Sequence, residues 1–196
     1  MLDTLKSIDT SLFLFLNAQH NAFFDQLMWI ASGRFTWIPL YILLLWLLYG
    51  EHRKRFWLVI LTIVLMIVLS DQFCNLAKFT FLRLRPSNEP VLRNLVHLVH
   101  GYSGGAYGFY SGHASNSFAV ALFAIGMIKR FRNYLIPFML CFAVLVSYSR
   151  IYLGVHYPGD ILTGATAGSL IGWGMSRLFL RIGRSMDQKA AIHSES

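Results

Sequence analysis

Three short groups of polar residues, separated by long apolar segments, contain the side chains in this sequence that are best suited to chemistry. Together they supply three permanent cations, two histidines and one carboxylate: Lys78, Arg85, Arg150, His113, His156 and Asp160. Arginine and lysine bind phosphate oxygens strongly, and arginine does so through two parallel N–H donors. Fixed cations also stabilise the negative charge that spreads over a phosphoryl group during its transfer. The residue set therefore favours phosphate chemistry.

The two histidines suit different steps of such a reaction. One neutral imidazole can attack phosphorus near pH 7, while the other protonates the leaving oxygen and later activates water. Asp160 follows His156 by four residues, with Pro158-Gly159 between them, and a turn at this point brings the carboxylate within reach of the ring. The carboxylate can then hold the second ring nitrogen and fix the tautomer.

A bound metal ion is the usual alternative to fixed cations. Such an ion needs several oxygen ligands or a mixed set of nitrogen and sulfur ligands. Asp160 is the only carboxylate in the three groups, and neither Cys74 nor Cys141 belongs to them. We therefore predict no metal site and no cofactor.

The elements that must position these groups are helices that cross a membrane. Hydrophobic residues make up 56% of the 196 residues and charged residues only 13%, against about 45–50% and about 25% in soluble domains. Five apolar segments approach the ~20 residues that a helix needs to cross a bilayer. They comprise residues 35–49, 56–78, 113–128, 134–151 and 160–180. We predict an all-α integral-membrane bundle with five to six transmembrane helices.

Two flanking segments complete the chain around a membrane domain of residues 35–182. Residues 1–34 mix leucine and phenylalanine with many polar side chains, which suits a helical segment that lies in the interface or re-enters the membrane. A sixth crossing by this segment is the alternative. Residues 183–196 form a polar tail that we expect on the cytoplasmic side.

Basic residues indicate the orientation of the bundle. Ten of the 17 lysines and arginines lie in segments on one predicted side: Arg53, Lys54, Arg55, Lys129, Arg130, Arg132, Arg177, Arg181, Arg184 and Lys189. Cytoplasmic loops are enriched in lysine and arginine, so the three polar groups face the opposite side, which is the periplasm in a bacterial inner membrane. Because the basic residues sit in short clusters between apolar segments, we predict no nucleic-acid partner. The sequence leaves the oligomeric state open.

The spacing of the three groups resembles the signature of the type 2 phosphatidic acid phosphatase superfamily. That signature reads Lys, six residues, Arg-Pro; then Pro-Ser-Gly-His; then Ser-Arg, five residues, His, three residues, Asp. The first and third groups match it in full, whereas the second has Tyr110 where the family usually has proline. The resemblance implies an all-helical membrane core across about residues 35–182.

The resemblance also implies a role for each residue of the signature. His156 resembles the nucleophile that forms a phosphohistidine, Asp160 its orienting partner, and His113 the general acid and then base. The residues that resemble the phosphate-binding set are Lys78, Arg85, Arg150, Ser111 and Gly112. The implied function is metal-independent hydrolysis of a lipid phosphate. We expect undecaprenyl diphosphate or a lipid A phosphate, ahead of phosphatidylglycerol phosphate or phosphatidic acid.

Other interpretations of the same residues stay open at this point. A membrane transporter or scaffold without enzymatic activity can line an anion pathway with such side chains. Each cation, taken singly, can extend to the interface from a helix end, and Asp160 can cap the last helix. Asn75 and Asp71 lie one and two turns before Lys78, where they either support Lys78 or make a hydrogen bond between helices.

Overall fold

Seven α-helices make up most of the part of the chain that the structure describes. Its structure is a computed structural model, which describes residues 2–33 and 35–195. The helices are α1 (Leu2–Asn17), α2 (Ala22–Ala31), α3 (Ile38–His52), α4 (Phe56–Phe81), α5 (Gly112–Met127), α6 (Arg132–Tyr152) and α7 (Pro158–Glu195). The described part of the chain has no β-strand beyond one isolated bridge between Leu84 and Tyr107. The predicted all-α class is therefore confirmed.

Helices α3 to α7 coincide with the five apolar segments of the sequence. Two stretches of the described residues are long and apolar enough to cross a membrane on these criteria alone: Ile38–Phe81, which contains α3, a short turn and α4, and Arg132–Tyr152, which is α6. Helix α5 packs against α3, α4, α6 and α7. Its fully buried side chains are mostly alanine and serine, because a central helix needs small residues for close neighbours.

Helices α5 and α7 approach each other most closely along a line of glycines on α7. A Cβ atom at Gly164 would lie 2.5 Å from the carbonyl oxygen of Ser111, the N-cap of α5, and a Cβ at Gly168 or Gly172 would lie 2.0 or 2.2 Å from a carbonyl oxygen of α5 itself. Only glycine allows such an approach, and small residues spaced by four are typical of packed membrane helices. This contact sets the start of α5 beside the start of α7.

The N-terminal helices are anchored at the same end of the bundle. Helices α1 and α2 contact α6, and α1 also contacts α7. The buried amide of Asn17 donates hydrogen bonds to the carbonyl oxygens of Ile151 and Tyr152, at 3.3 and 2.8 Å, and thus caps the last turn of α6. Whether this helical segment crosses the bilayer stays a prediction.

Three of the basic segments meet at the other end of the bundle. The Glu51 carboxylate accepts hydrogen bonds from the backbone of Lys129 and Arg130, at 3.2 and 2.9 Å. The Arg55 side chain pairs with Asp187 of α7. The segments that we expect in the cytoplasm are therefore neighbours, and α7 continues as one helix through most of the polar tail.

Candidate active site

The three polar groups of the sequence come together at the end of the bundle opposite the basic segments. The backbone N–H of Ser111 donates to the Asp160 carbonyl at 3.1 Å and joins the second group to the third. A Cβ at Gly108 would lie 3.0 Å from Cγ of Arg85 and 3.4 Å from the Asp160 carboxylate, so the first and third groups are also adjacent. Lys78 and His113 line one cavity.

His156 lies in the short turn between α6 and α7 and is only 2% exposed. Its Nδ1 atom is 3.6 Å from Oδ2 of Asp160, beyond hydrogen-bond distance, and has no other partner among the described residues. The same Oδ2 accepts a hydrogen bond from the backbone of Tyr157 at 3.0 Å. The Asp160 carboxylate therefore accepts a backbone hydrogen bond at the start of α7 and also faces the His156 ring. Capping of α7 and orientation of His156 are compatible roles for the same side chain.

Burial and nearby cations both act on the ionisation of His156. Removal from solvent lowers its pKa well below the usual value, and the positive charges of Arg85, Arg150 and Lys78 lower it further. A charged imidazole is disfavoured in such surroundings. Both effects favour the neutral ring, which is the form that can act as a nucleophile.

An ion-pair network behind Asp160 was not foreseen from the sequence. Arg83 donates to Oδ1 of Asp160 at 2.9 Å and to Asp9 of α1 at 2.6 Å, while its guanidinium carbon lies 4.0 Å from the centre of the Tyr157 ring. Asp9 also accepts a hydrogen bond from the backbone of Gly159 at 2.7 Å. In the sequence, the only feature that could have indicated a role for Arg83 is its position two residues before Arg85.

The loop before α5 wraps around Arg85. Nε of Arg85 donates a hydrogen bond to the carbonyl oxygen of Tyr107 at 3.1 Å, and the backbone N–H of Arg85 donates to the carbonyl oxygen of Ala106 at 3.1 Å. Gly104 lies against the guanidinium with a φ of 67°, and a Cβ there would be 2.6 Å from Nη1 of Arg85. This Nη1 is buried and has no hydrogen-bond partner among the described residues. A ligand oxygen can supply that partner.

Arg150 is held between the N-terminal segment and the loop that joins α4 to α5, residues 82–111. Its guanidinium donates to the hydroxyl of Ser32, just after α2, and to that of Tyr102 at 3.3 Å. The side chain is 3% exposed, and its Nε atom has no partner among the described residues. Arg85 and Arg150 are thus buried in the protein, which excludes the interpretation that they merely extend to the interface. Ser32 and Tyr102 were also missed, since neither has a distinctive neighbourhood in the sequence.

The second group forms the start of α5. The Ser111 hydroxyl accepts a hydrogen bond from the Ala114 backbone at 3.4 Å and caps the helix. The carbonyl of Tyr110, at the position where this chain departs from the family signature, accepts from Cys74 at 3.3 Å. The side chain of His113 is exposed and faces the cavity that it lines with Lys78. Its ring is therefore accessible to a substrate.

The described residues contain no group of three or more histidine, cysteine, aspartate or glutamate side chains that could hold a metal ion. The charges that converge on the site are side-chain cations instead. Two buried arginine nitrogens without partners, next to the buried ring of His156, form an arrangement that can bind a tetrahedral anion.

Comparison with known proteins agrees with this chemistry. The sequence pattern of the PAP2 superfamily matches residues 57–184. The lipid A 4'-phosphatase of Bacteroides thetaiotaomicron is 41% identical over 180 residues, which cover 88% of this chain and 77% of that protein. That of Porphyromonas gingivalis is 33% identical over 182 residues, 91% of this chain and 76% of that protein.

Two further similarities extend the comparison. The undecaprenyl-diphosphatase of Sulfolobus acidocaldarius is 32% identical over 166 residues, 83% of this chain and 74% of that protein. The crystal structure of the PAP2-type phosphatidylglycerolphosphate phosphatase of Bacillus subtilis superposes with a TM-score of 0.70 at 20% identity. That superposition covers 91% of this chain and 88% of the other, and it shows a common fold.

Proposed function

This chain belongs to the PAP2 superfamily and is a membrane lipid phosphatase, and we propose that it hydrolyses the 4'-phosphate of lipid A through a covalent phosphohistidine. The observation that carries the mechanism is the buried His156 ring beside Asp160, with the unpartnered nitrogens of Arg85 and Arg150 close by. Because the chain is a phosphatase of this superfamily, the alternative of a membrane transporter or scaffold without enzymatic activity is rejected.

Hydrolysis proceeds in two displacements at phosphorus. Lys78, Arg85 and Arg150 hold the non-bridging oxygens while Nε2 of His156 attacks, and the bond to the sugar oxygen breaks. His113 protonates that oxygen, so that the leaving group departs as a neutral hydroxyl. The Asp160 carboxylate, 3.6 Å from Nδ1 in the structure, moves within hydrogen-bond distance of Nδ1–H as the ring becomes positive and stabilises that charge.

In the second displacement, a water molecule replaces the enzyme nitrogen. His113 takes a proton from the water, whose oxygen attacks the phosphohistidine, and inorganic phosphate leaves. The backbone N–H of Gly112 and the Ser111 hydroxyl are further donors to the phosphate. Arg83 and Asp9 hold Asp160 in place during both steps.

The substrate assignment follows from the relatives and from the proposed orientation. Two relatives that align with most of this chain are lipid A 4'-phosphatases. The site lies at the end opposite the basic segments, and the positive-inside rule supports a periplasmic orientation for it. Undecaprenyl diphosphate is the second candidate, favoured by the 32% identical relative that hydrolyses it.

Phosphate release from purified protein in detergent tests the proposal. We expect release from lipid A that carries a 4'-phosphate, tolerance of EDTA, and inhibition by vanadate, which mimics a five-coordinate phosphoryl group. His156→Ala should abolish release and the acid-labile phosphoprotein, while its thermal unfolding stays close to that of the parent protein. Retained turnover in His156→Ala, or loss with EDTA that a divalent ion restores, contradicts the mechanism. Turnover of undecaprenyl diphosphate alone selects the second candidate.

A further inference from the structure

A cavity of about 450 Å³ extends from the phosphate site into the membrane-spanning part of the bundle. Its lining includes Lys78 and His113 and, farther from the phosphate site along the same helices, Asp71 and Asn75 of α4 and Asn116 of α5, which we call its floor. Small-molecule sites typically occupy about 300–1,000 Å³. Asp71 lies seven residues before Lys78, about 10 Å along the helix at ~1.5 Å per residue. A chemical group that binds at the floor is therefore a neighbouring part of the substrate and not the phosphate itself.

The floor is unusually polar for a surface between membrane helices. The Asn116 amide donates to the Asp71 carboxylate at 3.0 Å, so the hydrogen bond between helices considered from the sequence is present. This hydrogen bond leaves other polar atoms of Asn116 and Asp71 without partners in the described part of the chain. Asn116 Oδ1 is shielded from solvent without a partner, and Asp71, whose side chain is exposed to the cavity, forms no ion pair with any described residue.

Polar groups within a membrane span are costly and mark a binding function by default. The carboxylate of Asp71 and the Oδ1 atom of Asn116 are acceptors, so they select a group that offers hydrogen-bond donors. Asp71 also repels a second phosphate, so the group is not anionic. An isoprenoid or acyl chain offers no donors at all. Hydroxyl and amide groups on a sugar ring meet every one of these conditions.

We propose that the cavity is a glycosyl subsite, which holds the sugar residue bearing the phosphate and is lined by Asp71, Asn75 and Asn116. The inference rests on the proposed function and makes it more specific, since the subsite favours a phosphorylated glycolipid over a polyprenyl diphosphate. The sugar hydroxyls and amide replace water on the floor of the cavity, while the phosphate meets Lys78 and the two buried arginines.

Asp71→Asn separates recognition of the sugar from recognition of phosphate, because the change keeps the size of the side chain and removes its charge. We expect kcat/KM for lipid A to fall at least tenfold, mainly through a higher KM. The inhibition constant of vanadate, which occupies only the phosphate site, should stay within twofold. Gln72→Ala is the matched control, because Gln72 is exposed on the same helix and does not line the cavity.

The outcomes are distinct. A wild-type protein that releases no phosphate from lipid A overturns both the proposed function and the subsite. An active wild-type protein whose Asp71→Asn variant matches Gln72→Ala overturns the subsite alone. A loss accompanied by an equal weakening of vanadate inhibition also overturns it, since Asp71 would then act on Lys78. A selective loss with unchanged vanadate inhibition supports the subsite.

Discussion

The contact between α5 and α7 offers the sharpest test of how the fold positions the site. Replacement of Gly168 by alanine adds a Cβ that would lie 2.0 Å from the carbonyl oxygen of Ser115. Backbone atoms on both sides form this contact, so no flexible side chain can give way. The two helices must move apart by more than ~1 Å before the distance from this Cβ to the oxygen becomes an ordinary van der Waals contact. We expect this displacement to cause the kind of strain that is found in overpacked cores.

Two consequences follow from that displacement. Overpacking of this kind costs about 1–3 kcal/mol of stability. Because α5 carries His113 and α7 begins with the turn that carries Asp160, a shift of one helix also changes the distance between the groups of the site. A misplacement of about 1 Å can reduce the rate about 100-fold. We therefore expect Gly168→Ala to lower kcat strongly and to lower the unfolding temperature.

Gly174→Ala on the same helix is the matched control. A Cβ at Gly174 has nothing within 4 Å, and alanine is favoured over glycine in a helix by about 0.5–1 kcal/mol. This variant should keep its turnover and be slightly stabilised. Both proteins are purified in the same detergent and compared by phosphate release and thermal unfolding. Equal turnover and equal unfolding temperatures would refute the argument that close contact between these helices aligns the site.

Three further predictions concern individual side chains. Lys78→Ala should reduce kcat by more than about 100-fold, the scale of ~2.7–4 kcal/mol for one preorganised donor; an unchanged rate would return Lys78 to a role at the interface. Arg83→Met removes two charge-assisted hydrogen bonds, worth about 1.5–3 kcal/mol each before solvent screening, and should slow formation of the phosphoenzyme as well as lower the unfolding temperature; a wild-type rate of phosphorylation would exclude a positioning role. The pKa of His156 is lowered in the folded protein, so its ring stays neutral as the pH decreases through ~6.5, and kcat/KM should not decline in that range. The free energy of unfolding should decrease as the pH decreases through the same range, because only the unfolded chain takes up that proton. An acid limb at pH 6.5 or above in the pH profile of kcat/KM would contradict this assignment.

The helices and the family were accessible from the sequence because they depend on local information. A run of apolar residues near the length of a span predicts a membrane helix whatever surrounds it, and the five predicted segments coincide with α3 to α7. The family signature uses fixed spacings within short segments. Comparison with relatives confirms the family, whereas the individual roles of His156, His113 and Asp160 stay predictions.

The partners of the signature residues were not accessible, because they come from distant parts of the chain. Arg83 bonds to Asp9, and Arg150 to Ser32, across 74 and 118 positions of sequence. Neither pairing has a spacing rule, since it depends on where α1 and α2 dock on the bundle. The composition of the N-terminal segment indicates only a relation to the membrane, whereas in the structure this segment supplies contacts to Arg83 and Arg150.

The sequence by itself determined the class of chemistry, the helices and the end of the bundle at which the polar groups lie, since residue types, apolar lengths and charge bias each act locally. Only the tertiary structure decided which side chains share a cavity. Asp71 and Asn116 lie 45 positions apart and meet because α4 and α5 pack side by side. The rotation of a packed helix about its axis depends on all its neighbours at once, and no single segment contains that information.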